Sequence, residues 1–170
     1  HVIPEQSEVF VLAKQLVDII GMPIDQFRSR YGGIPLRIIP LLQSLVVHTA
    51  YAEIPGWPPM QYSFVDRKTK EEGGYSDEDM SAASHIYMGQ YLPRVEGYGW
   101  GIVVTPRSDG GCRQSGRSLQ NSVNVRDFHE KLGIGSGHDR ASGGYVQESE
   151  PSVWIKHVLE WMTGNKPLIG

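Results

Sequence analysis

The stretch that decides the fold is residues 112–146, which read CRQSGRSLQNSVNVRDFHEKLGIGSGHDRASGGYV. Apolar residues recur in it at helical spacing, at Val125, Phe128 and Leu132, directly after Asn124, a residue type that caps helices. Four segments are predicted in order, a strand, a helix, a glycine-rich loop and a strand, over 112–119, 124–132, 133–138 and 141–147. A strand, helix and strand in close succession indicate an α/β fold.

The glycine-rich loop and the arginines before it predict an anion site. Glycines at alternate positions let the backbone approach a ligand, and successive N–H groups can form an anion-binding nest. Arginine suits phosphate because its planar fork donates two parallel hydrogen bonds. A glycine-rich turn with an incidental histidine is the alternative. The expected contacts are Arg117, Ser118 and His138, the backbone N–H groups of Gly135 and Gly137, and, as second choices, Arg113 and Ser115.

This order of motifs resembles the C-terminal substrate-binding domain of the DHH phosphoesterase superfamily, which includes RecJ-like exonucleases and oligonucleotide phosphatases. That domain carries an Arg-Ser pair, Val-x-Val, GGGH and a small-residue run such as AAG. The residues in the matching positions are Arg117-Ser118, Val123-Asn124-Val125, Gly135-Ser136-Gly137-His138 and Ala141-Ser142-Gly143. The resemblance covers roughly residues 76–164, and Ile134 and Ser136 depart from the family's all-glycine loop.

The resemblance implies a function in binding nucleotides or single-stranded nucleic acid. Its members are two-lobed, and their catalytic metals, Mn or Mg, lie in the other lobe on aspartates and histidines that include an Asp-His-His run. This chain has no such run, and none of its six histidines pairs with an aspartate at ligand spacing. We therefore expect no cofactor in this chain. Metal-dependent phosphodiesterase or exonuclease activity would need a partner catalytic lobe.

Composition sets broader limits. The 170 residues suit one domain, or one domain with an appendage. The net charge of −3 provides no global attraction for nucleic acid, so any anion site must be a local cluster. Cys112 is the only cysteine, which excludes an intrachain disulfide and favours a cytoplasmic protein. No apolar run approaches the ~20 residues of a membrane span, so we expect no membrane association.

The rest of the chain completes an α/β fold, a small mixed sheet flanked by helices with an N-terminal helical segment. A helix beginning at Pro40 competes with a buried strand over 45–49, and 66–74 reads as a charged connector. Further helices are predicted over Glu5–Ile20, Ser76–Leu92 and Pro151–Met162, and strands over Gln61–Asp66 and Tyr98–Thr105. We divide the chain into residues 1–75, a linker or remnant of a catalytic lobe, and 76–170, the substrate-binding domain.

Two other functions compete with this interpretation. The first is a non-catalytic interaction module in a replication or repair assembly. The apolar first 50 residues favour it, because exposed apolar surface marks interfaces, and they could also support self-association. The second is a standalone enzyme that uses His138 as an acid or base on a small phosphorylated metabolite. The chain begins at His1 rather than Met, which we take to indicate a processed or excised piece.

Overall fold

The computed structural model describes Gly21 and residues 33–170. Its five helices are α1 (Ile39–Val47), α2 (Arg67–Gly73), α3 (Asp77–Gln90), α4 (Val125–Leu132) and α5 (Pro151–Thr163). Its six strands are β1 (Ala50–Ala52), β2 (Met60–Phe64), β3 (Trp100–Pro106), β4 (Cys112–Ser118), β5 (Gly135–His138) and β6 (Ala141–Val146). Short 3-10 turns cover Leu36–Ile38 and Leu92–Arg94. Among these residues, no helix is long and apolar enough to cross a membrane.

The six strands form one mixed sheet in the order β1-β2-β3-β4-β6-β5. Strands β2 and β3 are parallel, and every other neighbouring pair is antiparallel. This confirms the predicted α/β class with a mixed sheet, helices around it and helical structure in the N-terminal part. The sheet is continuous across the predicted boundary at residue 75, because β1 and β2 precede it.

The helices lie on both faces of the sheet. Val103 of β3 packs with residues of α1 and α3, whereas Ile102 and Val104 pack with residues of α4 and α5. Successive side chains of a strand point to opposite faces. Helices α1 and α3 therefore cover one face, here called the α3 face, and α4 and α5 cover the other, here called the α5 face.

The predicted capping residues begin two of the helices. Ser76 and Asp79 form a reciprocal capping box at the start of α3. Asn124 caps α4, where its Oδ1 accepts a hydrogen bond of 3.0 Å from the Asp127 backbone N–H. Both prediction and structure follow from the same cause, which is that the first N–H groups of a helix need acceptors.

The apolar stretch near Pro40 is a helix, not a strand. Proline stands in the first turn of α1, where its missing N–H costs no hydrogen bond. Four apolar side chains of α1 are buried against α3 and the sheet, namely Ile39, Leu41, Leu42 and Leu45. The helix predicted over Glu5–Ile20 lies outside the described residues.

The charged connector predicted over 66–74 is wrong, because helix α2 occupies it. Asp66 caps the helix by accepting from the Thr69 N–H at 2.6 Å, and Gly74 ends it with a positive φ of 63°. Two pairs spaced i,i+4, Arg67–Glu71 at 3.9 Å and Lys68–Glu72 at 3.8 Å, lie along it. The sequence analysis noted the charges and overlooked this helical spacing.

The loop predicted over 133–138 is also wrong. Gly133 ends α4 with a φ of 73°, and residues 135–138 then form edge strand β5. The physical reason is close approach, since a Cβ on Gly135 would collide with the Gly143 carbonyl oxygen and one on Gly144 with that of Ile134. These glycines let two strands meet and do not form the predicted nest.

Candidate functional site

A cavity of about 320 Å³ lies on the α3 face, between α3 and the part of the sheet that the helices leave uncovered. Its floor is β4 and β6, and β5 contributes Ser136 and Gly137 at one side. The lining residues are Ser81, Ser84, His85, Met88, Arg113, Ser115, Gly116, Arg117, Ser136, Gly137, Ala141, Ser142, Gly143, Gly144 and Tyr145.

The alternation of β4 builds the floor. Arg113, Ser115 and Arg117 occupy every second position, so their side chains share one face. Antiparallel pairing sets Arg113 opposite Tyr145, Ser115 opposite Gly143 and Arg117 opposite Ala141. Small residues in β6 therefore leave open space beside the guanidinium groups.

One face of helix α3 forms the wall. Ser81, Ser84, His85 and Met88 are spaced i, i+3, i+4 and i+7, which places them in one stripe. His85, which nothing in its sequence context marked as a ligand, lies in the lining across from β4. The stripe was readable from its spacing, but only the position of α3 over the sheet shows what it faces.

The electrostatics of the cavity favour an anion. Two arginines line it, and no aspartate or glutamate does. Arg113 makes one long contact, 3.4 Å from its Nη1 to the Ser81 Oγ. Within the described part of the chain, the Arg117 guanidinium has no hydrogen bond or ion pair. Guanidinium groups that no carboxylate neutralises hold their full donor capacity for a ligand.

A second cavity of about 400 Å³ continues from the first and shares His85, Met88 and Arg117 with it. Ser118 and Arg140 lie in its lining. Arg140 is committed to the protein, because it donates to the carbonyl oxygens of Leu119 and Gly170 at 2.6 and 2.7 Å. Arg117 is thus the cation that stands at the junction of the two cavities.

The predicted contacts separate into three groups. Four of them come together in the first cavity, namely Arg113, Ser115, Arg117 and Gly137. Ser118 lines only the second, and its Oγ lies 3.5 Å from the Asp139 carbonyl oxygen. Gly135 and His138 line neither. His138 is exposed on edge strand β5, opposite Ala141. Its contact with an anion bound by Arg117 therefore stays a prediction.

Beneath the cavity floor, on the α5 face, runs a chain of buried hydrogen bonds that sequence analysis missed. Trp154 Nε1, which can only donate, lies 2.7 Å from Gln114 Oε1. The Gln114 amide therefore donates through its nitrogen to His129 Nε2, at 3.0 Å. His129 must then carry its proton on Nδ1, which faces the Val125 carbonyl oxygen at 2.7 Å and contacts Ser142 Oγ.

This direction of donation excludes a nucleophile and base pair at Ser142. His129 Nδ1 holds a proton, so it cannot accept one from Ser142, whose hydroxyl donates to the Val125 carbonyl oxygen at 2.6 Å. Burial also lowers the pKa of His129 to about 4, which keeps the ring neutral. Gly116 makes room for it, because a Cβ there would lie 2.7 Å from the ring. The network connects β4 and β6 to α4 and α5 on the face of the sheet opposite the cavity.

The described residues contain no group of three or more His, Cys, Asp or Glu side chains that could hold a metal ion. Cys112 is fully buried in β4, and burial raises the pKa of its thiol to about 11. A thiol with that pKa is not a nucleophile at neutral pH.

Comparison with solved structures shows the fold but not the family. An exopolyphosphatase-related protein from Bacteroides fragilis superposes with a TM-score of 0.60 and 14% identity, over 85% of this chain. This chain spans 40% of that protein's length. An uncharacterized protein from Helicobacter pylori G27 gives a TM-score of 0.36 and 16% identity, and the match covers 75% of this chain and 30% of the Helicobacter protein. No family model and no curated protein matches the sequence.

Proposed function

We propose that this chain is the substrate-binding part of a DHH-type phosphoesterase and holds a phosphate of a nucleotide or a short single-stranded nucleic acid. The phosphate lies over the floor of the first cavity. Arg113 and Arg117 donate to its oxygens, and Ser115, between them on the same face, adds a hydroxyl. The observation that carries the proposal is a cavity lined by two arginines and by no acidic residue.

The position of Arg117 supports its leading role. It is the one arginine shared by both cavities, and no protein partner among the described residues engages its guanidinium. A bidentate contact with phosphate oxygens satisfies donors that are otherwise left to water. In the same proposal, the His138 side chain and the backbone of Gly137 approach the ligand from the β5 side.

The catalytic step belongs, in this proposal, to a partner lobe that holds Mn²⁺ or Mg²⁺. Two such ions activate water and stabilise the attacking and leaving oxygens of a phosphodiester. The order of motifs over residues 117–143 and the fold shared with an exopolyphosphatase-related protein both support this division of labour. The single buried cysteine supports a cytoplasmic location.

A fluorescence anisotropy titration tests the proposal. Labelled single-stranded tetranucleotides of DNA and RNA, each with a 5′-phosphate or a 5′-hydroxyl, are titrated with the protein. We expect the 5′-phosphate to strengthen binding, and Arg117→Ala to weaken binding of the phosphorylated strand by about 10- to 100-fold, because a charge-assisted hydrogen bond contributes about 1.5–3 kcal/mol. His138→Ala, measured in parallel, tests the contact from the β5 side.

Lys156→Ala is the matched control. Lys156 is exposed on α5, on the other face of the sheet, so the variant removes the same charge without touching the cavity. We expect its affinity to equal that of the wild type. If the chain binds neither strand, or if Arg117→Ala and Lys156→Ala behave alike, the proposal fails and the interaction-module hypothesis takes its place.

A further inference from the structure

Tyr145 is an exposed aromatic side chain at the edge of the cavity. It is 58% exposed and stands on β6 directly opposite Arg113. Its ring lines the first cavity and also a smaller one of about 130 Å³, and Ser81 and Arg113 line both as well. The floor of the site therefore ends in an aromatic ring on the Arg113 side and in open space on the Arg117 side.

Arg107 holds this ring in place. Its guanidinium carbon lies 4.1 Å from the ring centroid, within the range of a cation–π contact. The guanidinium is in turn fixed by Asp109, 3.0 Å from its Nη2, and the Arg107 carbonyl oxygen accepts a hydrogen bond of 3.0 Å from Arg67. A ring that a neighbouring cation supports loses little freedom when a ligand packs on it.

The two arginines of the floor lie at different distances from the ring. The Arg113 guanidinium carbon is 5.9 Å from the Tyr145 centroid, at the outer limit of a cation–π contact. Arg117 is four residues further along the strand, or about 14 Å at ~3.4 Å per residue. A phosphate between the arginines thus lies within the span of one nucleotide from the tyrosine ring.

We infer that Tyr145 is a stacking subsite for the nucleobase of a ligand whose phosphate lies over Arg113 and Arg117. Every base presents a flat π-face, and stacking on an exposed aromatic side chain strengthens binding without reading sequence. The inference rests on the proposed function and adds the residue that contacts the base. The site takes phosphate esters that carry a nucleobase, in preference to phosphate chains that have none.

Isothermal titration with a matched ligand pair tests the inference. Adenosine 5′-monophosphate and ribose 5-phosphate share a phosphate and a sugar and differ by the base. We expect the wild type to bind the adenosine compound about 5- to 100-fold more tightly. Tyr145→Phe keeps the ring and should keep that preference. Tyr145→Ala should bring the ratio close to one and leave the affinity for ribose 5-phosphate unchanged.

Tyr51→Ala serves as the control, because Tyr51 is also an exposed tyrosine, at 45%, and stands on β1 at the other end of the sheet. Equal affinity of the wild type for both ligands, or a preference that survives Tyr145→Ala, overturns the stacking subsite and leaves the phosphate site intact. If the protein binds neither ligand and also fails to bind inorganic phosphate, the phosphate site and the subsite are overturned together.

Discussion

The two faces of strand β4 differ in what surrounds them. On the α3 face, Arg113, Ser115 and Arg117 are partly exposed, and among residues 33–170 their side chains make one hydrogen bond, from Arg113 to Ser81. On the α5 face, Cys112, Gln114 and Ser118 are buried, and the Gln114 amide bonds to both Trp154 and His129. One strand thus presents unsatisfied donors to a cavity and satisfied polar groups to a core.

This difference separates binding from stability within seven residues. Polar groups whose hydrogen bonds lie within the protein stabilise the fold, and leaving one partner unpaired costs about 1–3 kcal/mol. Polar groups that face a cavity contribute little to stability and remain available to a ligand. Substitutions on the α5 face should therefore affect unfolding, and substitutions on the α3 face should affect binding.

The largest effect is expected in the aromatic core of the α5 face. Trp100 is fully buried, packs edge-on against Phe128 at 5.2 Å and donates its indole N–H to the Pro58 carbonyl oxygen. Trp100→Ala should lower the free energy of unfolding by about 3–5 kcal/mol, measured by urea denaturation. Leu36→Ala, at a side chain that is 68% exposed, should change it by less than about 0.5 kcal/mol. Similar losses would contradict this account of the core.

The comparison is sharpest at two adjacent residues of β4. Gln114→Ala should lower the free energy of unfolding by about 3 kcal/mol, because it leaves Trp154 Nε1 and His129 Nε2 without partners. Ser115→Ala, one position along on the α3 face, should change it by less than about 0.5 kcal/mol. Chemical denaturation of both variants measures the difference. Equal losses would show that the two faces contribute alike.

A smaller effect is expected from pH. His129 has a pKa of about 4 in the fold and an ordinary value of 6.5, so the unfolded chain binds the proton more readily between those values. Its stabilising contribution is complete above pH 6.5 and is lost as pH falls toward 4. Between pH 7 and pH 5 the loss amounts to about 2 kcal/mol. Urea denaturation at both pH values measures it, and His129→Gln should reduce the loss by that amount. An identical loss in the variant would contradict the buried neutral ring.

Sequence analysis predicted much of the frame and part of the site. Helical spacing and capping residues identified the helices at 77–90 and 125–132, and the sequence analysis also predicted the strands at 100–106 and 112–118 to within two residues. Those signals depend on residues that are close together in the chain, so a single sequence is sufficient to recognise them. The arginines of β4, four residues apart with Ser115 between them, were likewise visible as a polar run before the helix.

The remaining features depend on contacts between distant segments. The stripe of α3 became a cavity wall only because α3 packs over β3 and β4. The role of the glycines could not be read from their spacing, because a nest and a close approach of two strands both need residues without side chains. Tyr145 and Arg107 are 38 residues apart in sequence, and only the sheet brings them together.

The central claim is that the α3 face of β4 binds phosphate, and the salt dependence of binding tests it most directly. Association constants for a 5′-phosphorylated single-stranded tetranucleotide are measured over a series of salt concentrations, for the wild type and for the double variant Arg113→Ala/Arg117→Ala. Each neutralised phosphate contributes about 0.7 to the slope of log K against log salt. The two arginines hold one phosphate, so the double variant should lose about 0.7, with stability unchanged. An unchanged slope in a folded variant would contradict the claim.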